Sequence, residues 1–395
     1  MKQGRRVIGS EAVQNARRRG QNLIEVLPGD IVTAEARDQA ERLGIRLVDG
    51  PLPAPAPTRV DGALSLQRGL WRRSPRWVAP AHRPNGGATR FGKIAFVGAG
   101  GVGSHAAHLC ANADMADEIV LIDITPGLAA AMALDMNHAA GITRSRCRAQ
   151  GGSSLALVAG ADVVLVTAGR ARAPGMTRAD LIDVNRRVIQ ATAEAISAHA
   201  PGAIVIVVTN PLDEMTFEML RATGFPRERV LGMAGTLDSA RFRNALAMAA
   251  GVHPADVEAL TLGSHGEEMA PIVSHSRIKG RPLDVFLSAA QIAACVKDAI
   301  TGGGQVVALK RTGSAIIAPA HSSVEVMDHL RGARSGVCPV SVMLQGEYGL
   351  KDVVLGVPCH LGPSGLVKIE ELSLTEAEQS ALLAAGAAIA KRLAS

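Results

Sequence analysis

A histidine set between glycines, in Leu262-Gly263-Ser264-His265-Gly266-Glu267, follows a strand-like run from Val257 to Thr261. That Gly-rich setting is not the pattern of a packed core histidine. An imidazole titrating near neutrality is suited to exchanging a hydroxyl proton. Upstream, Leu237-Asp238-Ser239-Ala240-Arg241 opens a helical run from Asp238 to Ala249, and the i, i+3 spacing puts Asp238 and Arg241 on one face. A carboxylate beside the histidine orients the ring and stabilises its cation, while a guanidinium fork grips a carboxylate through two hydrogen bonds. Further upstream, the stretch Thr167 to Arg178 carries Arg170, Arg172 and Arg178 on a loop with Pro174 and Gly175. Such a loop suits closing over a small organic acid, the plain alternative being a solvated basic loop. Together these groups meet the needs of interconverting a 2-hydroxy acid and a 2-oxo acid. His265 moves the proton, Asp238 partners it, Arg241 anchors the carboxylate, and Arg178 faces the carbonyl where oxyanion charge develops.

The elements that must position these groups are legible as well. Lys93 to Val97 has a buried-strand pattern and runs into Gly98-Ala99-Gly100-Gly101-Val102-Gly103, a helical stretch from Ser104 to Ala113, and a second strand from Glu118 to Ile122 ending at Asp123. This is G-x-G-x-x-G in a β-α-β setting with an acid 20 positions after the last glycine. Gly98 allows the tight turn, Gly100 lets backbone approach a pyrophosphate, and Gly103 lets helix and strand pack closely. Free N–H groups and the dipole at the helix N-terminus favour the phosphates. Asp123 accepts from ribose hydroxyls and repels a 2′-phosphate, which predicts NAD rather than NADP. Alternation continues with a helix from Thr125 to Ala140, a strand from Asp162 to Thr167, a helix from Asp180 to Ala198 and a strand from Ala203 to Val208 ending at Thr209-Asn210-Pro211. Ligands of such sheets bind beyond the carboxyl ends of the strands, where the arginine loop and Asn210 both fall. Later, Gln291 to Ala308 and Ala315 to Leu330 read as helices, with Gly302-Gly303-Gly304 breaking the first; Val340 to Leu361 alternates like strands, and Thr375 to Leu393 is a final amphipathic helix.

Composition narrows the class. Aromatic residues make up only 2% against 47% hydrophobic, so the core is aliphatic. No apolar run approaches the ~20 residues of a membrane span, and neither a secretory leader nor a membrane partner is expected. The five cysteines, Cys110, Cys147, Cys295, Cys338 and Cys359, have no metal-ligand spacing and read as free thiols of a cytoplasmic protein, so no metal is expected. The basic excess sits in front: up to Phe91 there are 16 Lys/Arg against 8 Asp/Glu, and beyond it 26 against 28. Without a nucleic-acid-binding motif, this segment reads as a tail or docking element rather than a nucleic-acid surface. Within it, Glu11 to Arg19 suits a short helix and Asn22 to Leu27 and Ile45 to Val48 suit strands. Thr33 caps a helix from Ala34 to Leu43 that Gly44 ends. Pro51 to Arg90, with Trp71 and Trp77, reads as a Pro/Arg-rich spacer with a docking point.

From about Lys93 onward the chain resembles the malate/lactate dehydrogenase family, closest to its lactate-dehydrogenase-like malate dehydrogenases. The resemblance is carried by Gly98–Gly103, Ala171-Arg172-Ala173-Pro174-Gly175-Met176, Thr209-Asn210-Pro211, Leu237–Arg241 and Gly263-Ser264-His265-Gly266, with Lys310–Ala315 and Gly346-Glu347-Tyr348-Gly349 later. It implies the roles given above for His265, Asp238, Arg241 and Arg178, substrate hydrogen bonding by Asn210, and Arg172 against the second carboxylate of a dicarboxylate. It places Gly98, Gly100, Gly101, Val102, Gly103, Asp123, Thr167, Ala168, Gly169, Asn185 and Asn210 at the NAD site, and implies a homo-oligomer, dimer or tetramer. Where the family has Lys, this sequence has Ala173. Leu27-Pro28-Gly29 to Arg37 and Leu43 to Arg46 resemble N-terminal segments of bacterial microcompartment enzymes, implying a shell or docking partner for residues 1–90. The expected architecture is α/β: a small extension (1–50), a linker (51–91), a Rossmann doubly wound domain (92–235) and an α+β substrate domain (236–395). The expected reaction is NAD-dependent malate oxidation. Alternatives are a lactate or other 2-hydroxymonocarboxylate dehydrogenase and a non-catalytic scaffold.

Overall fold

The computed structural model describes residues 6–18, 22–50, 88–170, 178–266, 268–311 and 313–394, of which Arg178, Ala179 and Ala394 by backbone only. The chain divides into two units, Met1–His82 and Arg83–Ser395. The expected spacer with Trp71 and Trp77 lies outside the described residues, apart from its last few.

The first unit comprises β1 (Val7–Ile8), α1 (Ser10–Arg18), β2 (Leu23–Val26), β3 (Ile31–Val32), α2 (Ala34–Leu43) and β4 (Arg46–Asp49). Thr33 accepts from the Ala36 N–H and Gly44 takes the left-handed conformation that ends α2, as the sequence predicts. Its strands pair in parallel, β1 with β3 and β2 with β4. Pairing among the described residues therefore joins the first β-α-β half to the second. The halves also align in sequence 24 positions apart, with Glu11 and Glu35, Ala12 and Ala36, Ala16 and Ala40, and Leu23 and Leu47 identical. Hydropathy patterning does not reveal that repeat. The core is small, built from Val13, Ala16, Ala36, Ala40 and Ile45.

The second unit opens with β5 (Phe91–Val97), α3 (Gly101–Asn112), β6 (Ala116–Ile122), α4 (Leu128–Thr143), β7 (Arg148–Gly152), β8 (Val163–Val166), α5 (Arg178–His199), β9 (Ile204–Val207), α6 (Leu212–Thr223) and β10 (Val230–Gly232). The strands lie in the order β7-β6-β5-β8-β9-β10, all parallel. Alternate residues of the same strands enter two different cores: Ile94, Phe96, Val163, Leu165, Ile204 and Ile206 one, Ala95, Val97, Val164, Val166, Val205 and Val207 the other. A sheet covered on both faces explains the unbroken apolar runs. The strand order reverses between β5 and β8, which opens a crevice at their carboxyl ends.

The chain continues through α7 (Gly235–Ala250), β11 (Val257–Glu258), β12 (Thr261–Gly263), β13 (Met269–Pro271), β14 (Arg277–Ile278), β15 (Arg281–Pro282), α8 (Ala289–Lys310), α9 (Ile317–Leu330), β16 (Cys338–Gln345), β17 (Lys351–Gly362), β18 (Gly365–Ile369) and α10 (Glu376–Ala394). β16 joins β10 antiparallel, with Ser341 opposite Gly232, and β17, β12 and β13 extend the same sheet. Tyr348, the chain's single tyrosine, is buried; its hydroxyl donates to the Glu370 carbonyl at 2.8 Å and accepts from the Leu372 N–H at 3.0 Å. All five cysteines are free and buried.

Three expectations are corrected. The run Val257 to Thr261 is not one strand: β11 and β12 belong to different sheets, with Ala259 and Leu260 between them. Gly302-Gly303-Gly304 does not break a helix, because α8 runs through it. Each glycine costs ~1 kcal/mol relative to alanine, but packing overrides propensity. Finally, α8 is long and apolar enough, by length and composition, to cross a membrane, so a run of that kind does exist. Here it packs Cys295 and Ala299 into a core shared with Phe242 and Leu246 of α7.

Candidate active site

The crevice between β5 and β8 is shaped by backbone. Gly98 has φ 104°, and a Cβ there would lie 2.5 Å from Thr167 Oγ1. A Cβ on Gly103 would overlap the Gly98 carbonyl oxygen, so the helix–strand approach requires glycine at that position. Gly100, by contrast, faces open space, and no side chain caps α3 at that end. An uncapped helix N-terminus beside an unfilled cradle fits a pyrophosphate. Asp123, at the end of β6, accepts from the Ala99 and Thr125 N–H groups, each at 2.8 Å. Burial opposes its ionisation, but these two bonds hold the carboxyl below the usual carboxylate range. Its remaining lone pairs suit ribose hydroxyls. The residues present therefore fit NAD: Gly98 to Gly103 would hold the pyrophosphate and Asp123 the ribose.

The end of β8 is tied to this turn. Thr167 Oγ1 donates to the Gly98 carbonyl at 3.1 Å, and the Ala168 N–H donates to the Val97 carbonyl at 2.8 Å. Gly169 packs closely against Thr209 and Asn185. Asn185, expected beside the cofactor, is 1% exposed, and its amide is engaged within the protein. Its oxygen accepts from the Arg170 N–H at 2.7 Å, and its nitrogen donates to the carbonyls of Arg170 at 3.1 Å and Asn210 at 2.6 Å. It braces the ends of β8 and β9 against each other. Asn210 is exposed just past β9, Arg170 is exposed, and the Asn210–Pro211 bond is cis. Arg172 lies outside the described residues; Arg178 opens α5, and its side chain is likewise outside them.

The residues expected to carry the acid–base chemistry come together from separate elements. His265 sits in the turn joining β12 to β13, and its Nδ1 lies 2.8 Å from Asp238 Oδ2. The other Asp238 oxygen accepts from Arg241 Nη1 at 2.9 Å. Asp238 is 2% exposed, so its charge acts through little water. Burial works against a charged imidazole here, but Asp238, by charge and hydrogen bond, raises the His265 pKa above its ordinary value. Nδ1–H donating to the carboxylate fixes the tautomer and leaves Nε2 as the nitrogen able to exchange a proton. A Cβ on Gly303 would sit 3.2 Å from Arg241 Nη2, so the glycines of α8 let that helix lie against the guanidinium.

Sequence reasoning missed Asp213. Its carboxylate accepts from the His265 N–H and from Ser341 Oγ, both at 2.7 Å. The available signal was two adjacent acids, Asp213 and Glu214, inside the apolar turn Leu212 to Met215, three residues after Asn210.

Two family descriptions match the chain: the lactate/malate dehydrogenase NAD binding domain over residues 92–232, and the lactate/malate dehydrogenase alpha/beta C-terminal domain over residues 235–395. The malate dehydrogenase of Trichormus variabilis is 43% identical over 304 residues, covering 77% of this chain and 94% of that protein. Among solved structures, Cryptosporidium parvum malate dehydrogenase superposes with a TM-score of 0.74 at 36% identity, covering 78% of this chain and 98% of that one. The lactate dehydrogenase of the same organism, complexed with lactic acid and β-nicotinamide adenine dinucleotide, gives 0.74 at 33% identity over the same shares. The chain belongs to the lactate/malate dehydrogenase family. It is an NAD-dependent 2-hydroxy acid dehydrogenase.

Proposed function

We propose that this chain is an NAD-dependent malate dehydrogenase, reversibly oxidising (S)-malate to oxaloacetate. The observation that carries the reading is the His265–Asp238–Arg241 constellation, with bonds of 2.8 and 2.9 Å. NAD, when bound, supplies the hydride acceptor for C2 of the substrate. His265 Nε2 takes the hydroxyl proton as the C–H bond gives up its electron pair, and returns it in the reverse direction. Asp238 holds the imidazolium that results. Arg241 grips the C1 carboxylate, Asn210 hydrogen-bonds the substrate, and Arg178 faces the carbonyl oxygen. Arg172 meets the second carboxylate. Thr167 to Gly169 line the nicotinamide end of the crevice. Residues 92–235 serve the cofactor and 236–395 the acid–base chemistry.

A 2-hydroxymonocarboxylate substrate is the second reading, because a lactate dehydrogenase superposes as well as a malate dehydrogenase. Arg172 argues against it: a guanidinium closed over a monoacid would lack a partner, at a cost of several kcal/mol. The test is NADH oxidation with oxaloacetate beside pyruvate, repeated with NADPH. A higher kcat/KM with pyruvate, or equal use of NADPH, overturns the assignment. Residues 1–90 act as a docking element for a shell or complex, and the catalytic body acts as a homo-oligomer. Deleting residues 1–90 leaves turnover intact and abolishes co-localisation; lost turnover would make the extension part of the catalytic body.

A further inference from the structure

The catalytic imidazole is aimed by its ring contact with Asp238, yet a ring is only as well placed as the backbone that carries it. His265 lies in the short connection between β12 and β13, where Gly263 opposes Met269. Glycines flank this turn, so it has little stiffness of its own. We propose that Asp213 and Arg392 are positioning residues that clamp the backbone of the His265 turn from two sides and so set the proton-transfer geometry. The proposal rests on the reading of His265 as the acid–base group.

One arm is direct. Asp213 is 1% exposed, and its two oxygens accept from the His265 N–H and from Ser341 Oγ of β16, each at 2.7 Å. The carboxylate thus pins the turn to the strand that joins the two halves of the sheet. The second arm runs through Arg392, near the end of α10. Arg392 Nε donates to Glu214 Oε1 at 2.7 Å, and its Nη1 donates to Glu268 Oε1 at 2.8 Å. Glu268 in turn accepts from Ser264 Oγ at 2.9 Å, closing the turn on itself. Asp213 and Glu214 are consecutive and almost fully buried in the first turn of α6, where the helix dipole favours negative charge. From that one point they reach both ends of the turn, at His265 and at Glu268.

Two adjacent buried carboxylates are costly to keep, and a core of equal volume without them packs well enough. Asp213 has no cation within ion-pair distance among the described residues, so an ion pair does not explain it. Its bonds go to the turn and to the strand behind it. An acceptor aimed at the main chain of a general base is a device for holding geometry.

The experiment compares Asp213→Ala with Asp213→Asn and Arg392→Gln with Arg392→Lys in the full-length protein, using steady-state kinetics with oxaloacetate and NADH and direct NADH binding. Misplacement of a reacting group costs up to ~10²-fold. Asp213→Ala and Arg392→Gln are expected to lower kcat at least about tenfold while the KM for oxaloacetate and the affinity for NADH stay within about twofold. Asp213→Asn, which keeps an acceptor for the His265 N–H, and Arg392→Lys restore most of kcat. Unchanged kcat in a folded Asp213→Ala protein overturns the clamp, as does a loss of NADH affinity parallel to the loss of kcat. If Asp213→Ala does not fold, the Arg392 pair decides. His265→Gln is run beside them: turnover surviving that change refutes the acid–base reading itself, whereas turnover lost there and kept in Asp213→Ala refutes the clamp alone.

Discussion

Replacing Asp238 by Asn removes one charge from a site where that charge has little solvent to screen it. The carboxylate is 2% exposed and 2.8 Å from the imidazole nitrogen. For charge centres ~4 Å apart at an effective dielectric constant of ~20, the attraction is about 4 kcal/mol. Losing that charge removes the main influence that raises the His265 pKa against the effect of burial. Asn retains an acceptor for the Nδ1 proton but carries no charge, so the His265 pKa falls. With His265 as the proposed proton donor to oxaloacetate, kcat/KM declines as pH rises through its pKa. In Asp238→Asn that decline begins at lower pH, and activity near neutral pH drops roughly 10²-fold or more. The assay is the initial rate of NADH oxidation at low oxaloacetate, followed from about pH 5 to 9. A variant slower at every pH but with its alkaline limb unmoved would refute the reasoning, because Asp238 would then act through shape rather than charge.

Three further outcomes are expected. Arg172→Gln shifts preference from oxaloacetate toward pyruvate; an unchanged ratio of kcat/KM for the two acids removes Arg172 as the selector. Gly103→Val drives side-chain atoms into the Gly98 turn, so both Tm and NADH affinity fall, with a loss of ~1–3 kcal/mol typical of overpacking; a normal melting curve with normal NADH binding would be the contrary result. Asp213 is pushed by burial from 3.8 up to about 6, against the bonds from Ser341 and the His265 backbone. A raised carboxyl contributes its stability below the unfolded value and loses it as pH rises through the folded one. Asp213→Asn therefore gains on the parent between about pH 4 and 6, by at most roughly 3 kcal/mol. Urea midpoints of the two proteins at the ends of that window check it, and a constant gap refutes it.

The parts of the fold read correctly from sequence are those whose signal is local. Gly98 to Gly103, the apolar runs on either side and Asp123 lie within one β-α-β unit, and each has a steric or electrostatic reason visible in the residue itself. The pairing of Asp238 with His265 is not local, but a charged helix face and a glycine-flanked histidine leave few other uses for those types. What was not legible depends on distance. Asp213 meets Ser341 across 128 positions, and Arg392 meets Glu214 across 178. Nothing in the pattern around either residue names its partner. The glycines at 302–304 misled for the same reason: their propensity is local, whereas the Arg241 side chain that lies against Gly302 and Gly303 comes from another helix. Asn185 has the type and place of a cofactor contact, and its bracing of the backbone at Arg170 and Asn210 spans 15 and 25 positions that no local pattern links.

The aliphatic core has an optical consequence. Both tryptophans, Trp71 and Trp77, precede residue 92, and Tyr348 is the only tyrosine. Everything from the first strand of the dinucleotide crevice to the last helix is therefore dark to selective tryptophan excitation. Bound reduced cofactor emits against almost no background from the body that holds it, while tryptophan emission from the same sample reports only on the stretch in front. Tyr348 adds a third channel: burial pushes its hydroxyl up to about 12, so its ionisation at lower pH marks the moment the body opens. One cuvette thus follows the cofactor, the extension and the core separately, with no label added.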